Sequence, residues 1–337
     1  EPAPPGGVRL QHSLPSSAGF GREVQTKVQA EQGPVPVRDA AGAIIVCDDN
    51  QPQMTPDDHP RWVGSGWTVF NNKGKSVRQY EPFFTDTHRF DFKVRIGVSP
   101  VLFYDPLSRV VATLLPDHTW EKVVFGPWRQ DAWDISDTLL IAAPQADKDV
   151  GDFFDRLPNA DYLPTWYDQR QGGALGPEEQ KAARKAEVHA GTPTVARADS
   201  LGRTILTVAH NRFKYSNAPA AAPPTEEFYE THVVFDIEGN QREIIDAKDR
   251  VVVRYDYDML GNRIHQASME AGARHMLNDV AGKPLYAWND HGHRFRSIYD
   301  ALQRPMEYFL RKGAGPKMVV GRSVYGEIQP NPEAKNL

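Results

Sequence analysis

One short cassette recurs along this chain: Asp, two variable residues, Gly, a basic or amide residue, then an apolar run. Its fullest copy, Y-D-Y-D-M-L-G-N-R-I, holds Tyr255, Tyr257, Asp258, Gly261 and Arg263. Weaker copies hold Asp199, Gly202 and Arg203; Asp236 and Gly239; Asp246 and Arg250; and Asp279 and Gly282. Two more are N-D-H-G-H, which contains Gly292, and Y-D-A-L-Q-R, which begins with Tyr299 and Asp300. Earlier stand F-G-R-E from Phe20, N-N-K-G-K from Asn71 and Y-D-P-L-S-R from Tyr104. A recurring unit points to architecture before it points to one compact catalytic pocket.

Each copy has the chemistry of a tight turn. The leading Asp or Asn can accept from the backbone two residues on, and Gly supplies the positive φ that other residues resist. The residues after the turn alternate. Over Arg250 to Asp258, Val251, Val253, Tyr255 and Tyr257 fall on one side, and Val252, Arg254, Asp256 and Asp258 on the other. That is the period of a half-buried strand, so each unit is expected to be strand, turn, strand. Copies beginning at 236, 246, 258, 279, 289 and 300 mostly step by roughly ten residues, which suits a meander of short strands. A lone hairpin cannot bury its apolar face in water, so such units must pack side by side. An ordinary sandwich or barrel that uses Asp-Gly turns is the competing architecture; the density of copies in one third of the chain favours the repeat.

The Tyr255–Arg263 copy resembles the signature of YD repeats, also called Rhs repeats. The flanks extend the likeness. R-W-V-G-S-G-W-T-V-F-N-N-K-G-K from Arg61, R-Q-Y-E-P-F-F from Arg78 and G-V-S-P-V-L-F-Y-D-P from Gly97 are similar to the B component of bacterial insecticidal Tc toxin complexes. So are H-T-W-E-K-V-V-F from His118, P-W-R-Q from Pro127 and Q-R-Q-G-G-A-L-G-P from Gln169. The resemblance runs from about residue 21 to the C-terminus. It implies a mostly β fold, strand-turn-strand units stacked into a large curved sheet that forms part of a hollow shell. It also implies a C-type partner that completes the shell and supplies an unfolded toxic cargo. A pore-forming A-type component would engage a β-propeller outside these residues. No cofactor is implied, and the protein is expected to be secreted by a bacterium.

The chain departs from the family pattern in places. Ala18 stands where Asp is usual. Three copies have lost the glycine, to Ser108, Asp249 and Gln303, and are expected to be type I turns that most residues tolerate. No D-P-x-G-L type motif is present, so self-cleavage is not assigned.

Five segments are expected: an irregular 1–20, a β-rich shell segment 21–143, a helical insertion 144–190, the YD-repeat region 191–310 and a C-terminal loop and strand 311–337. In the helical insertion, Val150, Phe153, Phe154 and Leu157 lie at helical spacing. Pro177 followed by Glu178 and Glu179 marks a helix start. The polar face of that helix is either solvent-facing or a contact for a partner subunit. The 337 residues allow one large or two ordinary domains. A net charge of -5 disfavours nucleic acid as a partner. No apolar run reaches the roughly 18 residues of a spanning helix, so no membrane contact is expected. No signal-peptide pattern appears, and the chain is expected to be a fragment of a longer protein. A single cysteine, Cys47, excludes an internal disulfide and is expected to be a buried or half-buried strand residue.

Candidate chemistry is thin. Asp57-Asp58-His59 lacks the spacing that lets ligands converge, and His291 with His293 supplies two imidazoles where zinc needs three or four ligands. Nucleophile-elbow, zincin, P-loop and dinucleotide fingerprints are absent from the sequence, and Gly64–Gly66 precede a strand rather than a helix. The expectation is therefore a structural, non-catalytic shell segment without metal or cofactor. The alternative is a secreted or cell-surface module that binds carbohydrate or a partner through its aromatic residues.

Overall fold

The computed structural model describes residues 11–39, 43–48, 50–92, 94–215, 217–219 and 222–331. Half of the segment expected to be irregular, part of the Pro/Ala loop from Ser216 to Thr225, and the C-terminal six residues lie outside these. The chain divides into two compact units. The first takes in residues up to Phe125, Asp131–Pro193 and Arg212–Pro224; the second takes in Gly126–Gln130, Thr194–Asn211 and the chain from Thr225 onward.

In the first unit, β1 (Ser13–Ser17), β2 (Glu23–Ala30), β3 (Arg61–Gly64) and β6 (Phe83–Thr85) form a four-stranded sheet in that order. β4 (Thr68–Phe70) and β5 (Ser76–Gln79) form a hairpin whose β5 packs on β7 (Val101–Tyr104), and β7 pairs onward through β8 (Val110–Leu114) to β9 (Trp120–Phe125). β1 corrects the expectation of an irregular start. Its Pro and Ser residues give no strand signal, but Ser13 to Ser17 find a partner ladder in β2. Cys47 is also corrected: it is exposed and opens a turn, with Cys47 N donating to Gln51 O and Asn50 N to Cys47 O.

Helices follow β10 (Arg129–Trp133), whose residues are shared between the units. They are α1 (Gly151–Phe154), α2 (Trp166–Gln171) and α3 (Pro177–Ala186). Thr165 caps α2 by accepting from Asp168 N, and Pro177 opens α3 with Glu178 and Glu179 in its first turn. This segment contributes to the first unit's core. Val150, Phe154 and Tyr162 are buried against Val101, Phe103, Ala112, Leu114 and Trp120. The Phe154 ring meets Trp120 at 5.1 Å, Tyr162 at 5.4 Å and Phe103 at 5.4 Å. Beneath them, buried Lys122 reaches Asp147 at 2.6 Å and Asp149 at 2.8 Å, with the Trp133 ring at 4.9 Å. Asp137 closes the segment by accepting from Thr192 N and Thr192 Oγ1 at 2.8 and 2.9 Å.

The second unit is a meander of β11 (Thr194–Ala198), β12 (Thr204–Phe213), β13 (Thr225–Phe235), β14 (Gln241–Ile245), β15 (Val251–Tyr257) and β16 (Arg263–Ser268). It continues through β17 (Gly272–Asn278), β18 (Pro284–Asn289), β19 (His293–Tyr299), β20 (Pro305–Lys312) and β21 (Lys317–Arg322). Sheet order equals chain order, and the resolved pairs are antiparallel. From β13 to β21 each strand packs on the strands before and after it. Phe309 is the only buried residue among those described in this unit. The sheet here is one layer thick.

The turn row as candidate functional site

The cassette folds into a five-residue turn with a fixed bonding plan. The first residue's N–H donates to the fifth residue's carbonyl, and the fourth residue's N–H donates to the first residue's carbonyl. In the Asp258 copy these are Asp258 N to Asn262 O at 3.0 Å and Gly261 N to Asp258 O at 3.1 Å. Asp258 Oδ1 then accepts from the N–H groups of Leu260 and Asn262, and Oδ2 from Asn262 Nδ2. This matches a type I turn followed by a left-handed bulge residue, and the strand register shifts beside it. Asp199, Asp236, Asp279 and Asp300 open the same turn, with Gly202, Gly239, Gly282 and Gln303 fourth. Asn289 opens a further one with Gly292 fourth.

Losing the glycine does not change the backbone. Gly261 has φ 78°, and Ser108, Asp249 and Gln303 hold φ 65°, 56° and 61°. These copies keep the type I turn, and the same closed ring of bonds holds a non-glycine residue at the left-handed fourth position. All three such copies carry Arg fifth, and that Arg clasps the leading Asp. Arg109 Nε donates to Asp105 at 2.7 Å, Arg250 Nε to Asp246 at 2.9 Å and Arg304 Nε to Asp300 at 2.7 Å. His118, with φ 66°, occupies the fourth position of another turn, Leu115 to Thr119, that no Asp-x-x-Gly pattern announces.

The clasps depress the carboxylates. The Arg250 side chain, followed by its backbone N–H, lowers Asp246 to about 2. Asp199 is lowered by the Arg203 side chain first, Asp258 by the Asn262 side chain first, and Asp300 by the Arg304 backbone N–H first. These carboxylates are ionised acceptors with their lone pairs engaged, so they are poorly placed to transfer protons near neutral pH.

Aromatic residues couple one turn to the next. The residue before the leading Asp is Tyr in two copies of this unit, and its hydroxyl reaches across to the adjacent strand. Tyr257 donates to Gln241 O and Tyr299 to Pro284 O, each at 2.9 Å, and each acceptor directly follows the preceding turn of the row. Tyr325 repeats the bond to Pro305 O, and in the first unit Tyr104 donates to Ser76 O. The fifth-position cation lies over the next aromatic: Arg203 over Phe235 at 4.7 Å, Lys283 over Tyr299 at 5.6 Å and Arg304 over Tyr325 at 3.9 Å. Arg263 takes no part in the clasp. It stands sixth, after Asn262, and covers the Tyr255 ring at 3.9 Å.

The remaining polar candidates do not converge. Asp58 and His59 are 3.7 Å apart at the surface, and the His291 and His293 rings are 6.1 Å apart. Among the described residues no group of three or more His, Cys, Asp or Glu side chains is placed to hold a metal ion. Asp256, the other acid of Y-D-Y-D, faces away from the turn and bonds His265 Nδ1 and Arg242 Nη2 at 2.8 Å each. The Trp288 ring stacks on His275, which stacks on His265, so these rings serve one another.

No protein-family model and no curated protein sequence matches this chain. Solved structures do match. The Tc holotoxin pore of Photorhabdus luminescens is similar over 94% of this chain at 20% identity and a TM-score of 0.61. The TcdB2-TccC3 crystal structure covers the same share at 21% identity and a TM-score of 0.60, as does TcdB2-TccC3 with Cdc42. The chain spans 13% of the length of each matched chain. The fold is therefore that of a segment of the Tc toxin structures, the proteins to which the motifs also point.

Proposed function

We propose that this chain is a structural, non-catalytic segment of a toxin-complex shell, and that the shell encloses an unfolded toxic cargo before delivery. The observation that carries this is the second unit: a sheet one layer thick whose repeated acids are spent on holding its own edge. Such a sheet separates two compartments, and its motif residues build the separation. The shared fold supplies the toxin context. On this reading a C-type component co-forms the wall and brings the cargo, and the A-type component docks through another region. The protein is secreted, makes no membrane contact through this segment and binds no nucleic acid. Among the described residues no helix is long and apolar enough to cross a membrane.

The test is co-purification with a C-type component followed by limited proteolysis. Stable co-elution, with the C-type component's C-terminal region digested more slowly than in the component alone, is expected. A C-type component that neither co-elutes nor gains protection overturns the proposal. Glycan-array binding by the chain in that case would favour the carbohydrate-binding alternative.

A further inference from the structure

Two lysines are buried among the described residues, Lys27 and Lys122, both in the first unit. Their surroundings differ. Lys27 Nζ meets one carboxylate, Asp91, at 2.5 Å and the carbonyl of Thr87 at 3.3 Å. Lys122 Nζ meets two carboxylates, Asp147 Oδ2 at 2.6 Å and Asp149 Oδ2 at 2.8 Å, with the Trp133 ring at 4.9 Å. The Lys122 and Asp147 side chains are 3% and 6% exposed, and Asp149 is 23% exposed. Asp147 is held at both ends. Its Oδ1 accepts from the N–H groups of Asp149 and Val150 at 3.0 and 3.1 Å, and its backbone carbonyl accepts from Gly151 N at 2.9 Å. One oxygen of this carboxyl therefore faces two backbone donors, and the other faces the lysine nitrogen.

We infer that Lys122 and Asp147 condense to an isopeptide bond, with Asp149 relaying the protons. Asp149 takes a proton from Nζ and frees its lone pair, and Nζ attacks Asp147 Cγ. The carbonyl electron pair moves onto Oδ1, where the two backbone N–H groups hold the developing oxyanion. Its return re-forms the carbonyl and breaks the bond from Cγ to Oδ2. Of the three ammonium protons, one stays on the amide nitrogen and two leave with Oδ2 as water. Asp149 carries them across and ends as it began. A cation and an anion become a neutral amide and a water molecule, and no oxidant, reductant or further reactant enters. Burial favours that direction, because it removes two charges from a poorly solvated site. The fold supplies the proximity, since β9 and the turn before α1 already hold amine and carboxyl in contact. The bond ties β9 to the helical segment across 25 residues. Lys27 has no second carboxylate to relay its protons, so it stays an unlinked ion pair with Asp91. This inference does not depend on the containment reading.

Intact mass spectrometry of the whole chain, purified folded and then denatured, tests it. The chain should be lighter than its sequence by one water. A tryptic digest should contain a branched peptide joining Lys122 to Asp147, with no cleavage after Lys122. Asp149→Asn, checked for folding by circular dichroism, should carry roughly tenfold less of the link or lower, because the proton relay is gone. Lys122→Met should show the full sequence mass. The full sequence mass in the folded parent overturns the inference, whether or not either variant folds. So does a water loss that maps to a linear peptide around Asp147, which would mark a cyclic imide, or a link that maps to Lys27. A folded Asp149→Asn variant that links as completely as the parent overturns the relay.

Discussion

The two units hold the same kind of turn by different means. The first buries Phe154, Tyr162 and Trp120 almost completely, together with the Lys122 ion pairs, under helices that close over its strands. In the second, Phe309 alone is buried among the described residues, and strand neighbours, Tyr hydroxyls and cation-aromatic contacts take over. A packed core concentrates stability in a few side chains. A single-layer sheet distributes it along the ladder, so each contact is small and the sum depends on continuity. The comparison says where substitutions should hurt.

The largest effect is expected in the first core. Phe154→Ala should cost about 3–5 kcal/mol in denaturant unfolding, because three ring contacts vanish from a site with no exposure. A cost below about 1 kcal/mol would mean that the helices do not close the core. Lys122→Ala should cost about 3 kcal/mol, since it strands Asp147 and Asp149 without their cation. Gly261→Val comes next, at about 1–3 kcal/mol. Its cost is backbone strain alone, as a Cβ there meets nothing closer than 3.9 Å. Gly261→Asn should cost under about 1 kcal/mol, because Asn tolerates the left-handed region. Equal melting of the two variants would refute the strain account. Tyr299→Phe should cost about 1 kcal/mol for one lost hydroxyl bond, read as faster amide exchange in β18 and β19.

The smallest effect is pH-dependent. Asp246 is depressed from 3.8 to about 2 by Arg250, so the clasp's contribution is present above pH 4. It is lost as the pH falls toward 2, where the folded carboxylate takes up its proton. Melting curves from pH 5 to pH 2 should show a steeper acid loss for the parent than for Arg250→Leu. Parallel curves would remove the clasp from the account.

Chemistry that acts within five residues was readable in the sequence; chemistry that acts across strands was not. Asp258 and Gly261 announced their turn because carboxylate and positive φ are local requirements. Asp249 and Gln303 carry no glycine signal, and the left-handed φ they hold comes from the closed ring of backbone bonds around them. The partners of Tyr257 and Tyr299 lie 15 or more residues away, on carbonyls that every residue type offers, so nothing in the residue string marks them. Phe153 and Phe154 were legible as helical, but the destination of Phe154 against Trp120 depends on tertiary packing. β1 was hidden because its strand conformation comes from β2 rather than from its own Pro and Ser.

The cation laid over the next turn's aromatic ring has a mechanical consequence. Coupling reaches one neighbour and stops, so the second unit approximates a one-dimensional chain of links. Pulled from its β21 end, it should open hairpin by hairpin in a series of similar force steps, like a zipper. Damage to one link should leave those beyond its neighbours closed.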